Sequence, residues 1–302
     1  MRYAAPMRIR LAWVLAIAAW AVAEEPKRLL SGFRFTEGPA ADAQGNVYFT
    51  DIPNQRIHRV GLDGKLTTFR ENSGRANGLM FNAGGELVAC EGGNGRVVAI
   101  SSDGKKLRVL ADEYNGKRFN APNDLVIDRK GGIYFTDPEF GRKIKKPQGT
   151  FAVYYIRAPG KVVRVVESLP RPNGIILSPD EKTLYVVPSG SAQVMAYAVE
   201  APGKLGKGRA FFELLQPEGR KGTGGDGLTV DTKGNLYITS QLGVQVVSPA
   251  GKHLRTLAFP EKPANVTFGG KDRATLYVTA RTSVYTLALK VRGHVFAPRP
   301  KK

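Results

Sequence analysis

Hydrophobic residues along this chain fall in short runs of four to six, separated by turns rich in Gly, Asp and Asn. No stretch sustains a helical period, so the pattern predicts β-strands throughout. Six strands open on an acid or amide: Glu37-Gly38-Pro39, Asn77-Gly78-Leu79, Asn123-Asp124-Leu125, Asn173-Gly174-Ile175, Asp226-Gly227-Leu228 and Asn265-Val266-Thr267. A second run answers each about eleven residues later, as in Val47-Tyr48-Phe49-Thr50, Ile133-Tyr134-Phe135-Thr136 and Leu276-Tyr277-Val278-Thr279. A third strand follows in every unit and a fourth in most, with turns such as Leu62-Asp63-Gly64-Lys65 and Ser178-Pro179-Asp180-Glu181 between them. Tandem units of several strands at a period of roughly 40 to 50 residues are the signature of a β-propeller. The expected fold is all-β: a six-bladed propeller of four-stranded blades.

The last unit lacks a clear fourth strand, while Lys27-Arg28-Leu29-Leu30 precedes the first unit without a partner. Pairing the N-terminal strand onto the last blade closes the ring and removes two open edges. Blades arranged radially carry the six opening residues to one end of a central channel.

Residues 1–23 stand outside this pattern. Arg2, Arg8 and Arg10 precede an apolar run from Leu11 to Ala23 that ends in Ala21-Val22-Ala23. This is the grammar of a secretory signal peptide cleaved near Ala23. The run is too short for the roughly 20 residues that span a bilayer. We therefore expect a periplasmic or secreted mature protein, residues 24–302, forming one propeller domain with no transmembrane anchor.

Composition narrows the chemistry. Cys90 is the only cysteine, so an intramolecular disulfide is excluded, and its place in an apolar strand favours an inert thiol. The formal charge is +19, of which the leader supplies three. Such a balance favours anionic neighbours, including an anionic envelope surface. The basic residues are scattered, with clusters at Arg142–Lys146 and in the tail, and no nucleic-acid-binding motif accompanies them, so nucleic acid is not expected. No Gly-x-Ser-x-Gly elbow is present, and His58, His253 and His294 lie away from the openings. A Ser-His-Asp triad and a His-rich zinc site are disfavoured accordingly.

Glu37, Asn123, Asn173 and Asp226 together supply two carboxylates and two amide oxygens, a hard-oxygen set that suits Ca²⁺. Asn77 and Asn265 also fit ordinary turns; carried to the axis, Asn77 would face substrate and Asn265 would support the ligands. Asp124 follows a candidate ligand and either orients it or caps a turn. Asp137 precedes Pro138, where a turn role competes with a role against substrate.

The chain resembles the SMP-30/gluconolactonase family of six-bladed propellers. The matching stretches are Phe35–Pro39, Arg118–Leu125, Tyr134–Pro138, Pro172–Ile175 through Ser178–Asp180, Asp226–Leu228 and Asn265–Gly270, in the right order across nearly all of residues 24–302. The resemblance implies a divalent metal, usually calcium (Zn²⁺, Mn²⁺ or Mg²⁺ being the other candidates). It implies Glu37, Asn173 and Asp226 as ligands, Asn123 as a ligand or a catalytic residue beside the substrate, and Asp226 as the group activating water.

The implied reaction is hydrolysis of a small-molecule lactone or ester through a polarised carbonyl. An Asp bound to a cation is a weakened base, and a free second oxygen aimed at the water reconciles the two duties. Animal members of the family place an Arg two residues before the position of Asn123; here that residue is Ala121, and whether the nearby Arg118 takes its place is left open by the sequence. Two other readings stay open, a non-catalytic ligand-binding propeller and an aryl-esterase or phosphotriesterase using the same metal site.

Overall fold

The computed structural model describes residues 25–140 and 146–296. The expected leader, the basic residues Arg142 to Lys145 and the tail from Ala297 lie outside the described residues. Within them the expected architecture is present: six antiparallel sheets, each beginning at one of the predicted openings.

Blade 1 shows how the sequence builds the unit. Its strands, from the axis outward, are Thr36–Ala41, Val47–Asp51, Arg56–Val60 and Leu66–Glu71. The Val47–Asp51 strand is buried at every position, because neighbouring blades pack on both of its faces. Leu66–Glu71, at the rim, has no fully buried residue. The gradient repeats, so the second strands read as continuous apolar runs and the outer strands as mixed ones.

Six inner strands close the ring. They are Thr36–Ala41, Ala76–Phe81, Leu125–Ile127, Pro172–Leu177, Leu228–Val230 and Pro263–Gly269, and each touches the next around the axis, the sixth returning to the first. Lys27–Ser31 pairs antiparallel with Ser283–Ala288, with Leu30 opposite Val284. The N-terminal strand thus supplies the rim of blade 6, as expected from the unpaired ends.

Hydroxyls at the ends of the second strands tie blades together. Thr50 donates to the Asn77 carbonyl at 3.2 Å, Thr136 to the Asn173 carbonyl at 2.8 Å and Thr239 to the Ala264 carbonyl at 2.8 Å. In each pair the acceptor belongs to the following blade and is, or adjoins, an opening residue. These bonds fix the backbone at the place where the candidate site is assembled.

A short hairpin, Glu113–Tyr114 with Lys117–Arg118, leads into blade 3, and Lys204–Leu205 extends blade 4. A cavity of about 350 Å³ runs along the axis downstream of the openings. Leu79, Leu125, Ile175, Leu228 and Val266 wall it, Asp124 and Asn265 stand at one end, and Gly293–Phe296 flank it.

Candidate metal and active site

The opening residues sit where the ladders are irregular. In blades 1, 2, 4 and 6 the register between first and second strands slips at the opening, between Glu37 and Ala40, Ala76 and Leu79, Pro172 and Ile175, and Pro263 and Asn265. In blades 3 and 5 the ladder begins only at Leu125 and Leu228, after Asn123 and Asp226. Such slips release a side chain from strict alternation and re-aim it, here toward the axis. The glycines allow the crowding: a Cβ on Gly38 would collide with the Asn77 carbonyl, and one on Gly227 with the Asn265 side chain. Gly38 also has φ of 44°, a conformation that favours glycine.

Glu37, Asp226, Asp124 and Asn265 meet. Burial, then the negative charge of Asp226, holds the Glu37 carboxyl well above the usual carboxylate range, with Asp124 adding to the effect. Burial pushes Asp226 up to about 7, against the opposing pull of Lys262, the Asn173 amide and Arg281. Asp226 keeps partial access to solvent, whereas Glu37 is 3% exposed. Asp124 also rises to about 7 through burial. None of the three carboxylates has an ion pair among the described residues.

Neutral donors hold each carboxylate in place. The Gly38 N–H donates to Glu37 Oε2 at 2.8 Å, and Asn173 Nδ2 donates to Asp226 Oδ1 at 2.5 Å and to Ser189 Oγ at 2.8 Å. Ser189 in turn donates to the Gly225 carbonyl at 3.0 Å, which orders the residue preceding Asp226. The Leu125 N–H donates to Asp124 Oδ1 at 2.9 Å, and Asn265 Nδ2 reaches Asp124 Oδ2 at 3.4 Å. Asn265 also hydrogen-bonds Glu37, so one amide spans two carboxylates. Asn77 Oδ1 is buried without a hydrogen-bond partner. Asn123, 6% exposed, stands at the same end, its N–H bonded to the Thr136 carbonyl at 2.9 Å.

This donor set fits a hard cation. Asp226 Oδ2 accepts no hydrogen bond among the described residues, and Asn173, with its N–H atoms committed, keeps its carbonyl oxygen for another partner. Like-charged carboxylates buried side by side are stabilised by a bound cation or by protonation. Among the described residues no three His, Cys, Asp or Glu side chains form a metal-holding group by themselves. A cation held here would draw on amide oxygens too, a hard-oxygen donor set.

Two of the candidate residues are engaged by the chain itself. Asp137, weighed between a turn and a place against substrate, is fully buried, and its oxygens accept the N–H groups of Asn120 at 2.9 Å and Ala121 at 2.8 Å. It pins the loop entering blade 3, as Asp51 pins Arg34 and Phe35 ahead of Glu37. Arg118 leans onto blade 2, with its Nη2 3.4 Å from the Gly93 carbonyl and its guanidinium over Gly95. Ser189, Lys262 and Arg281 were not anticipated.

Comparison with known proteins shows the family of the chain. The chain matches the family described as SMP-30/Gluconolactonase/LRE-like region over residues 35–282. It belongs to that family. It is 29% identical to the gluconolactonase of Zymomonas mobilis over 291 residues, covering 88% of this chain and 81% of that protein. Regucalcin from Sus scrofa is 25% identical over 246 residues, covering 79% of this chain and 80% of that protein. Among solved structures, a gluconolactonase from Xanthomonas campestris superposes with a TM-score of 0.80 at 32% identity, covering 88% of this chain and 89% of the other. A calcium-binding regucalcin from Agrobacterium tumefaciens, at 22% identity and a TM-score of 0.78 over 93% of this chain and 98% of the other, shares the fold.

Proposed function

We propose that this chain is a calcium-dependent lactone hydrolase acting at the Glu37–Asn173–Asp226 cluster. The observation that carries the proposal is the convergence of Glu37 and Asp226, buried and without an ion pair among the described residues, with amide oxygens beside them. Gluconolactonase and lactonase relatives support the reaction class. Glu37, Asn173 and Asp226 would hold the ion, with Asn123 beside it. Bound calcium supplies Lewis-acid polarisation of the lactone carbonyl and charge stabilisation of the oxyanion.

The chain's own residues do the remainder. Asn173 holds Asp226 Oδ1, which leaves Oδ2 to accept a proton from the attacking water. Water oxygen bonds to the carbonyl carbon, the ring C–O bond breaks, and the proton passes to the departing ring oxygen. The product is the open hydroxy acid, with no other reactant consumed. Asn123, at the same end of the ring, would hold the lactone against the reacting water.

The test is turnover of a panel of lactones, aryl esters and phosphotriesters by the purified protein, with and without chelator, beside Asp226→Asn. Calcium-dependent lactone opening, lost on chelation and in the variant, supports the reading. Lactone opening that survives exhaustive chelation overturns the metal role, and full turnover by an Asp226→Asn protein that still binds calcium overturns the base. Calcium binding with no turnover of any substrate would mark a ligand-binding propeller instead. Preferential turnover of phosphotriesters would move the site to that class.

The basic, apolar, small-residue order of residues 1–23 supports export, with work in the periplasm or outside the cell. An N-terminal sequence of the cell-derived protein beginning at Glu24 would agree with it, and one beginning at Met1 would not.

A further inference from the structure

Basic residues gather where the site opens. Arg34, Arg75, Arg171 and Lys262 each stand two or three residues before an opening residue, in blades 1, 2, 4 and 6. Arg281 occupies the turn between the second and third strands of blade 6, where Pro263 pairs with Ala280. That register makes Lys262 and Arg281 the next facing positions beyond the ladder. The Arg281 carbonyl accepts the Thr36 N–H at 2.8 Å, next to Glu37. Two residues after Lys262, the Ala264 carbonyl accepts the Gly227 N–H at 2.8 Å, next to Asp226. Both cations are therefore fixed, through the main chain, to the neighbours of the two central carboxylates.

None of these five side chains has an ion pair among the described residues. Glu261, the nearest acid in sequence to Lys262, is already engaged. It accepts from the Thr282 N–H at 3.1 Å, Thr282 Oγ1 at 3.2 Å, Tyr285 OH at 3.0 Å and Ser283 Oγ. Those bonds brace the loop that carries Lys262 against the turn that carries Arg281. Arg281 and the three arginines of the other blades are exposed, and Lys262 is half-buried. A neutral substrate gives such a collar nothing to bind, whereas an anionic group held above the cluster meets two braced cations at once.

We propose that Lys262 and Arg281 form an anion subsite at the mouth, and that the preferred lactones carry a carboxylate or phosphate away from the ring carbonyl. This rests on the lactonase reading above and names its substrate class. The two residues are specificity determinants and take no part in bond breaking. The remaining arginines steer the anion inward, an effect that weakens with salt.

The experiment compares kcat/KM for neutral gluconolactone, a glucaric acid lactone and a phosphorylated gluconolactone in the wild type, Lys262→Ser, Arg281→Ser and the double variant. Lys161→Ser, an exposed cation on the outer strand of blade 3, is the control. We expect each single change to lower kcat/KM for the anionic lactones about tenfold, the lower end of the scale for one hydrogen bond to a charged group. The neutral lactone should change less than twofold, and the wild-type preference for anions should shrink at high salt. The carboxylate and phosphate arms show which anion the site takes.

Equal losses on neutral and anionic lactones, or a wild type with no anionic preference, overturn the anion subsite and leave the lactonase reading standing. If no lactone is opened, the lactonase reading fails, and calorimetric binding of open-chain glucarate still reads the subsite. Binding weakened in both variants supports it, and unaltered or absent binding overturns it.

Discussion

Replacing Asp226 by Asn should invert the stability order of the two proteins according to whether calcium is present. In chelator at pH 8 the wild type keeps Asp226 ionised beside Glu37, although burial has moved Asp226 up to about 7. A carboxyl raised in the fold binds more protons there than in the unfolded chain. Its contribution is therefore best at low pH and is lost as pH climbs through 7. Each pH unit between the unfolded value and about 7 is worth about 1.4 kcal/mol, which bounds the penalty at about 4 kcal/mol. Partial exposure reduces this to about 1–2 kcal/mol, or roughly 2–4 °C for a domain of this size. The amide of the variant can turn its oxygen toward Asn173 Nδ2, so that bond survives. In chelator at pH 8 the variant should melt higher, and at pH 5, about one unit above the unfolded value, the advantage should fall to about a third. In calcium at a thousandfold excess over its Kd the wild type gains about 4 kcal/mol and should overtake the variant. Thermal unfolding followed by circular dichroism reads all of these conditions. The reasoning fails if the variant is less stable in chelator at pH 8, or if calcium stabilises both proteins equally.

Other outcomes follow from individual contacts. Calcium affinity should weaken as pH falls below 7, because burial keeps Glu37, Asp124 and Asp226 protonated to unusually high pH. Calorimetry in buffers of different ionisation enthalpy should show proton release, and a pH-independent Kd between 5.5 and 8 (about one proton-binding range) would contradict it. Thr136→Val removes the donor to the Asn173 carbonyl and should cost about 1–2 kcal/mol in urea unfolding; no measurable change would mean the blades are not tied there. Asp137→Asn can accept from only one of the Asn120 and Ala121 N–H groups and should cost about 1–3 kcal/mol. Its kcat per folded molecule should stay near wild type, and a large selective loss of kcat would return Asp137 to the active site.

The blades were legible because turns and apolar second strands repeat, and because the unpaired Lys27–Ser31 segment had only one edge left to close. The candidate cluster was legible because its members open equivalent strands, so radial symmetry brings them to one end. What the repeat does not encode was harder to read. Ser189 lies after a second strand in blade 4, and Lys262 and Arg281 owe their placement to the loops of blade 6. Asp137 stayed open between two roles because a residue before proline also reads as a turn. Yet Tyr48-Phe49-Thr50-Asp51 and Tyr134-Phe135-Thr136-Asp137 are the same phrase, and each acid binds the main chain leading to the opening of its own blade. The threonines of that phrase were visible too, but alternation alone does not say that their hydroxyls cross to the next blade.

The most direct measurement is anomalous diffraction from crystals of this protein grown with calcium. A single peak on the axis, about 2.3–2.6 Å from oxygens of Glu37, Asn173 and Asp226, is the predicted result. An ion bound elsewhere while these three side chains pair only with each other would contradict it.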